Sequence, residues 1–150
     1  MMRRKPILRV AAKLLIPFIL LYALYVQFHG DFGPGGGFQA GVIFAAGFIL
    51  YALIFGIDNA RIVLPAWARR FSLALGVLLY AGTGVAGMLM GGNYLNYSVL
   101  AHDPLHGQHF GILVIELGVG ITVFAAMTTI FFVFAGQDVA GHDIHEEDID

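Results

Sequence analysis

Four long apolar runs restrict the folds open to this chain more than any other feature of its sequence. They cover residues 11–28, 38–57, 71–90 and 110–134, and short polar or glycine-rich connections separate them. Each run approaches or exceeds the roughly 20 residues that an α-helix needs to cross a bilayer core. Only 12% of the residues are charged, whereas soluble domains carry about 25%. We therefore predict an all-α polytopic membrane protein, a bundle of four transmembrane helices.

The basic residues predict how these helices are oriented. All eight lysines and arginines lie within residues 1–13 or in the connection 58–70. The positive-inside rule then places both termini and this connection in the cytoplasm. Residues 1–136 would form the four-helix transmembrane domain. Residues 137–150 contain six carboxylates and no basic residue, so we expect an acidic cytoplasmic tail.

Composition also narrows the chemistry that we expect. The chain has no cysteine, which excludes disulfides and thiolate nucleophiles. A net charge of −2 without a basic patch does not favour nucleic acid as a partner. His102, His106 and His109, with Asp103, are potential metal ligands, but their spacing fits one helical face poorly. We expect ordinary loop histidines, no resident metal or cofactor, and no catalytic residues.

Glu116 is the one ionisable residue deep inside an apolar run. A carboxylate at the centre of a membrane helix costs about 3 kcal/mol on insertion, so its side chain should not face lipid. Gly118 and Gly120 open one face of the same helix to close approach by a neighbour. Two interpretations stay open: a carboxylate that handles protons or cations, or a polar contact at a subunit interface. With no second buried charge in the runs, an ion pathway would need residues from a partner.

The most specific local pattern is HGDFGPGGGFQAG at residues 29–41. Consecutive glycines Gly35, Gly36 and Gly37 after Pro34 permit positive φ and expose backbone amides and carbonyls. One interpretation is a backbone-lined cation or water site at the membrane edge. The other, which the residues favour, is a tight turn followed by close helix packing along small residues such as Gly41.

Two motifs carry a family resemblance that covers nearly the whole chain. PGGGFQAG at residues 34–41 and ELGVG at residues 116–120 resemble the B subunit of Mrp-type multisubunit cation/proton antiporters, the MrpB/MnhB family. The resemblance implies an accessory subunit in the cell inner (plasma) membrane that is needed for assembly and for exchange of Na+ against H+. Its partners would be large A- and D-type antiporter-like subunits and small subunits. Pro34 and Phe38 would shape the turn, and Glu116 would be the ion-path candidate.

Other functions stay open at this point. One alternative is a purely structural subunit of a related complex I-like or membrane-bound hydrogenase complex. It also resembles stand-alone four-helix exporters in size, but those place their essential glutamate in the first helix, and the first run here has no acidic residue. A four-helix haem protein needs histidines inside its helices, and the runs have none away from their ends.

Overall fold

The computed structural model is built from helices. It describes residues 6–30, 35–100 and 104–146, with side chains for residues 6–30, 35–98 and 105–136. The helices are α1 (Pro6–His29), α2 (Gly37–Phe55), α3 (Ile57–Val63), α4 (Ala66–Leu89) and α5 (Pro104–Glu146), and a 3-10 turn covers Tyr97–Leu100. Within these ranges the chain forms no strand.

Four of the helices are long and apolar enough to cross a membrane. They span Pro6–His29, Gly37–Phe55, Ala66–Leu89 and Leu105–Gly136. This confirms the prediction of an all-α polytopic membrane protein with four transmembrane helices.

The helix ends differ from the predicted ends of the runs. The helix α5 begins at Pro104 and continues to Glu146, whereas the fourth run was expected at residues 110–134 with a loop before it and a tail after it. Hydropathy marks the lipid-facing part of a helix and not its ends, and proline is favoured at a first helical position. The connection 58–70 is also partly helical, since it contains most of α3. Gly56 lies between α2 and α3, and its φ of 98° ends α2 and changes the direction of the backbone.

The long helices are neighbours in the order α1, α2, α5, α4, and α1 also touches α5. The helix α1 packs on α2, while α5 packs on α2 along one side and on α4 along the other. Much of the apolar surface is therefore exposed; Phe18, Leu78 and Phe134, for example, are each more than 60% exposed. Exposed apolar surface of this kind is expected for helices that face lipid or neighbouring subunits.

Glycines bring α5 close to both neighbouring helices. A Cβ atom placed on Gly41 of α2 would lie 2.5 Å from the Gly120 carbonyl oxygen. On the opposite side, a Cβ atom on Gly76 of α4 would lie 2.7 Å from the Gly118 carbonyl oxygen. Larger side chains at these points would separate the helices, so α5 is held between two glycine contacts.

The two ends of the helix layer are closed differently. At one end, the Arg69 guanidinium lies over the ring of buried Phe132, with its Cζ atom 4.3 Å from the ring centroid. Arg69 Nη1 also donates a 3.3 Å hydrogen bond to the Leu64 carbonyl oxygen. At the other end, the 3-10 turn packs on α5, where the ring of Tyr97 lies against Gly111. Burial, and then neighbouring Tyr80 and Tyr94, raise the pKa of Tyr97.

Candidate functional site

The connection between α1 and α2 forms one wall of the candidate site. We call the segment from Gly30 to Gly37 the glycine turn; Gly30 and Gly35–Gly37 of it are described, and Pro34 lies outside the described residues. Gly35 has a φ of 131°, a conformation that favours glycine. A Cβ atom at Gly35 would also lie 2.7 Å from Cγ1 of Val26. Gly35 is therefore required by backbone conformation and by space.

The carboxylate of Glu116 lies against this turn. A Cβ atom placed on Gly30 would be 2.9 Å from Glu116 Oε2 and 3.2 Å from Oε1. A Cβ atom on Gly36 would be 2.7 Å from Oε1. The carboxylate thus occupies space that exists because both positions lack a side chain.

The amino end of α2 adds to the polar character of this place. The helix starts at Gly37 after Gly36, which has no side chain to cap the first amides. The backbone of Gly37 lies directly on that of Glu116, and a Cβ atom at Gly37 would be 2.7 Å from the Glu116 carbonyl carbon. Unpaired amides and the helix dipole make such an end favourable for a negative group. The surroundings of Glu116 therefore include backbone groups of its own chain.

Two further residues predicted from the sequence, Gly118 and Gly120, allow the helix that carries Glu116 to pack closely on its neighbours. Gly118 faces α4, since a Cβ atom there would lie 2.9 Å from the Gly76 carbonyl oxygen. Gly120 faces the other way, where a Cβ atom would lie 3.1 Å from the Gly37 carbonyl oxygen. Phe38, in contrast, is 60% exposed, so most of its side chain lies at the surface.

Sequence reasoning did not identify Gln27, which lies next to this site. Its side chain is 5% exposed, and its Oε1 atom lies 2.6 Å from where a Cβ atom of Gly120 would be. The signal in the sequence was an amide near the end of an otherwise apolar run, three residues before Gly30.

A pocket opens beside Gln27 where α1, α2 and α5 meet. It has a volume of about 160 Å³. The residues that line it are apolar apart from Gln27, namely Ala23, Leu24, Ala40, Gly41, Phe44, Leu117, Gly120, Ile121 and Phe124.

The histidines of the third connection do not form a metal site among the described side chains. His106 and His109 lie in the first turns of α5, and no group of three or more potential metal ligands occurs in the described part of the chain. His102 and Asp103 lie outside the described residues.

Known proteins are similar to this chain over most of its length. Residues 7–129 match the family described as "Domain related to MnhB subunit of Na+/H+ antiporter". The chain is 32% identical over 133 residues to "Putative antiporter subunit mnhB2" of Staphylococcus haemolyticus (strain JCSC1435). These matched residues cover 87% of this chain and 94% of the relative. The protein of the same name from Staphylococcus aureus (strain Newman) has the same identity and coverage.

The four membrane-length helices and the family match define a multi-pass membrane protein. Within that class, the chain belongs to the MnhB family of Na+/H+ antiporter subunits. The resemblance found in the glycine and ELGVG motifs is thereby confirmed.

Proposed function

We propose that this chain is an accessory subunit of a multisubunit Na+/H+ antiporter, needed for its assembly and for ion exchange, and that Glu116 contributes to the ion path. The observation that carries the proposal is the position of the Glu116 carboxylate, which lies against Gly30 and Gly36 inside an apolar helix layer. A carboxylate in such a setting is retained at a cost in insertion energy, and membrane proteins use such groups in ion and proton pathways.

The same position suits a transient exchange of ions. Carboxylate oxygens and free backbone carbonyls are the ligands that Na+ meets in broken helices of transporters. The Gly35 carbonyl oxygen and Glu116 Oε2 both lie about 3 Å from the position of a Cβ atom at Gly30. A carboxylate also accepts a proton. Glu116 beside the glycine turn therefore offers one place where both transported ions can bind in turn.

The proposal includes the setting of the subunit. Both termini and α3 would lie in the cytoplasm, because all basic residues of the chain lie in the amino-terminal segment or in the connection that contains α3. The glycine turn and Glu116 would lie toward the outer surface of the cell inner membrane. Large A- and D-type antiporter-like subunits and the small subunits would surround the helix layer, and Na+ and H+ would be transported ions.

Glu116→Gln tests the role of the carboxylate, because it keeps the shape of the side chain and removes its charge. In vesicles that contain the whole complex, we expect Glu116→Gln to lower the rate of Na+/H+ antiport by about tenfold or more. The amount of purified complex should stay the same. Asp58→Asn is the matched control, since it makes the same chemical change at an exposed carboxylate of α3 and should leave antiport unchanged.

Other outcomes of this experiment would refute the ion-path role. Normal antiport with an unchanged pH profile in a fully assembled complex would show that the carboxylate has no transport role and would favour a purely structural subunit. Loss of the assembled complex would show that Glu116 holds a subunit interface. The subunit role itself is tested by reconstituting this chain alone in liposomes; antiport by the chain alone would identify a stand-alone transporter.

A further inference from the structure

The side chain of Gln27 presents an unusual problem for a membrane helix. It is 5% exposed, and its Nε2 atom has no hydrogen-bond partner among the described residues. A buried donor left without a partner destabilises a fold. An acceptor outside these residues would remove that cost.

The neighbouring pocket has room for that acceptor. Gln27 lines the pocket of about 160 Å³ between α1, α2 and α5, and one water molecule needs only about 10–15 Å³ of volume measured in this way. A fully apolar cavity would stay dry, whereas the amide at this wall gives water a hydrogen-bond partner and neighbouring water molecules supply the others. The pocket therefore has space for several water molecules and a polar group to anchor them.

Gln27 and Glu116 lie on the same seam, where α1 meets α5. Gln27 faces Gly120 and Gly30 faces Glu116. Gly30 follows Gln27 by three residues and Gly120 follows Glu116 by four, so each pair lies about one helical turn apart, ~5.4 Å along the axis. The amide of Gln27 thus lies about one helical turn along the seam from the residue that carries the carboxylate.

We propose that the pocket between α1, α2 and α5 is a hydrated site, in which Gln27 anchors water molecules that connect the pocket to the Glu116 carboxylate. The ligand is water, and Gln27 acts as a positioning residue. The use of this water as an ion route rests on the proposed function of Glu116, but the hydration of the pocket does not. A lipid chain would fill the apolar part of the pocket and still leave the amide without an acceptor, so water is the better occupant.

Because the chain has no cysteine, a single introduced cysteine can report on water in the pocket. We would place it at Ala40, which lines the pocket, and expose membranes containing the whole complex to a small charged methanethiosulfonate. The thiolate is the reactive form of cysteine, and it forms where the thiol meets water. Ala45→Cys is the control, since Ala45 is equally buried on α2 but does not line the pocket.

We expect labelling of Ala40→Cys and little labelling of Ala45→Cys. Adding Gln27→Met to Ala40→Cys should slow labelling by about tenfold, which corresponds to loss of roughly 1.4 kcal/mol of hydrogen bonding to water. Adding Gln27→Asn, which keeps an amide, should slow it less. An unreactive Ala40→Cys with native Gln27, or a labelling rate that Gln27→Met leaves unchanged, would overturn the proposal.

The result can be separated from the test of Glu116, because labelling does not require antiport. If Ala40→Cys is labelled as expected while Glu116→Gln leaves antiport normal, the hydrated pocket stands and the ion-path role of the carboxylate fails. If Glu116→Gln abolishes antiport while the pocket resists labelling, the carboxylate functions without this water and the inference about Gln27 fails.

Discussion

The contact between α2 and α5 at Gly41 should tolerate almost no additional volume. In Gly41→Ala, the new Cβ atom would lie 2.5 Å from the Gly120 carbonyl oxygen and 2.9 Å from Cβ of Val123. Ordinary contacts of a Cβ atom begin near 3.4 Å. The two backbones would have to separate by about 0.9 Å at this point, since neither contacted atom is the end of a flexible side chain.

This separation sets the size of the expected effect. A gap of 0.5–1 Å removes about a quarter to a half of the dispersion energy of the atoms that it parts, and overpacking of this kind costs about 1–3 kcal/mol. Replacing glycine by alanine inside a helix returns roughly 1 kcal/mol of helix propensity. We expect Gly41→Ala to change the free energy of unfolding by about 0–2 kcal/mol in the destabilising direction.

Gly82→Ala provides the matched control. Gly82 is also inside a membrane-length helix, but nothing lies within 4 Å of the position of its Cβ atom. Gly82→Ala should therefore gain only the helix propensity of alanine. The difference in free energy of unfolding between the two variants then gives the cost of the steric clash at Gly41, about 1–3 kcal/mol. The assay is denaturant-induced unfolding of the detergent-solubilised subunit. Equal stability of the two variants would refute the close approach of α2 and α5.

Two further predictions concern the ends of the helix layer. Burial raises the pKa of Tyr97, so its neutral form stabilises the folded state; this contribution is complete below about pH 10 and is lost as the pH rises through the higher folded pKa. In Tyr97→Phe, the alkaline decline in thermal stability of the solubilised complex should be shallower, and an unchanged decline would contradict the burial of this ring. Arg69→Met removes the contact with Phe132 and the hydrogen bond to Leu64 and should destabilise the subunit by about 1–2 kcal/mol. Arg70 is exposed, so Arg70→Met should change the free energy of unfolding by less than about 0.5 kcal/mol. Both variants are measured by denaturant-induced unfolding of the solubilised subunit. Equal losses of stability in the two variants would show that the Arg69 contacts contribute nothing.

Hydropathy was sufficient to predict four membrane helices, because lipid requires long apolar segments whose backbone is satisfied internally. It was not sufficient for helix ends. The helix α5 carries His106 and His109 in its first turns, and polar residues of this kind belong to the same helix without belonging to the apolar run. The helix α3 was missed because it is short, and because Gly56 separates it from α2 by a change in backbone direction.

The candidate site shows a different limit. Glu116 and the glycine segment were both identified from the sequence, as separate features about 80 residues apart. Their contact depends on which helices are neighbours, and helical period alone does not determine that order. Gln27 was missed because one amide changes the hydropathy of an apolar run very little. Its importance becomes visible when Gly120 and the pocket are found beside it.

The arrangement of the helices explains why an ion path at Glu116 would need other subunits. The long helices pack mainly as α1 on α2, α2 on α5 and α5 on α4, with α1 also touching α5, and much of their apolar surface is exposed. Such an arrangement can place a carboxylate and an amide along a seam, but it does not enclose them. An ion that leaves bulk water needs polar groups or water on all sides. The glycine turn supplies one side of that enclosure, so the protein that covers the faces of this layer must supply the rest.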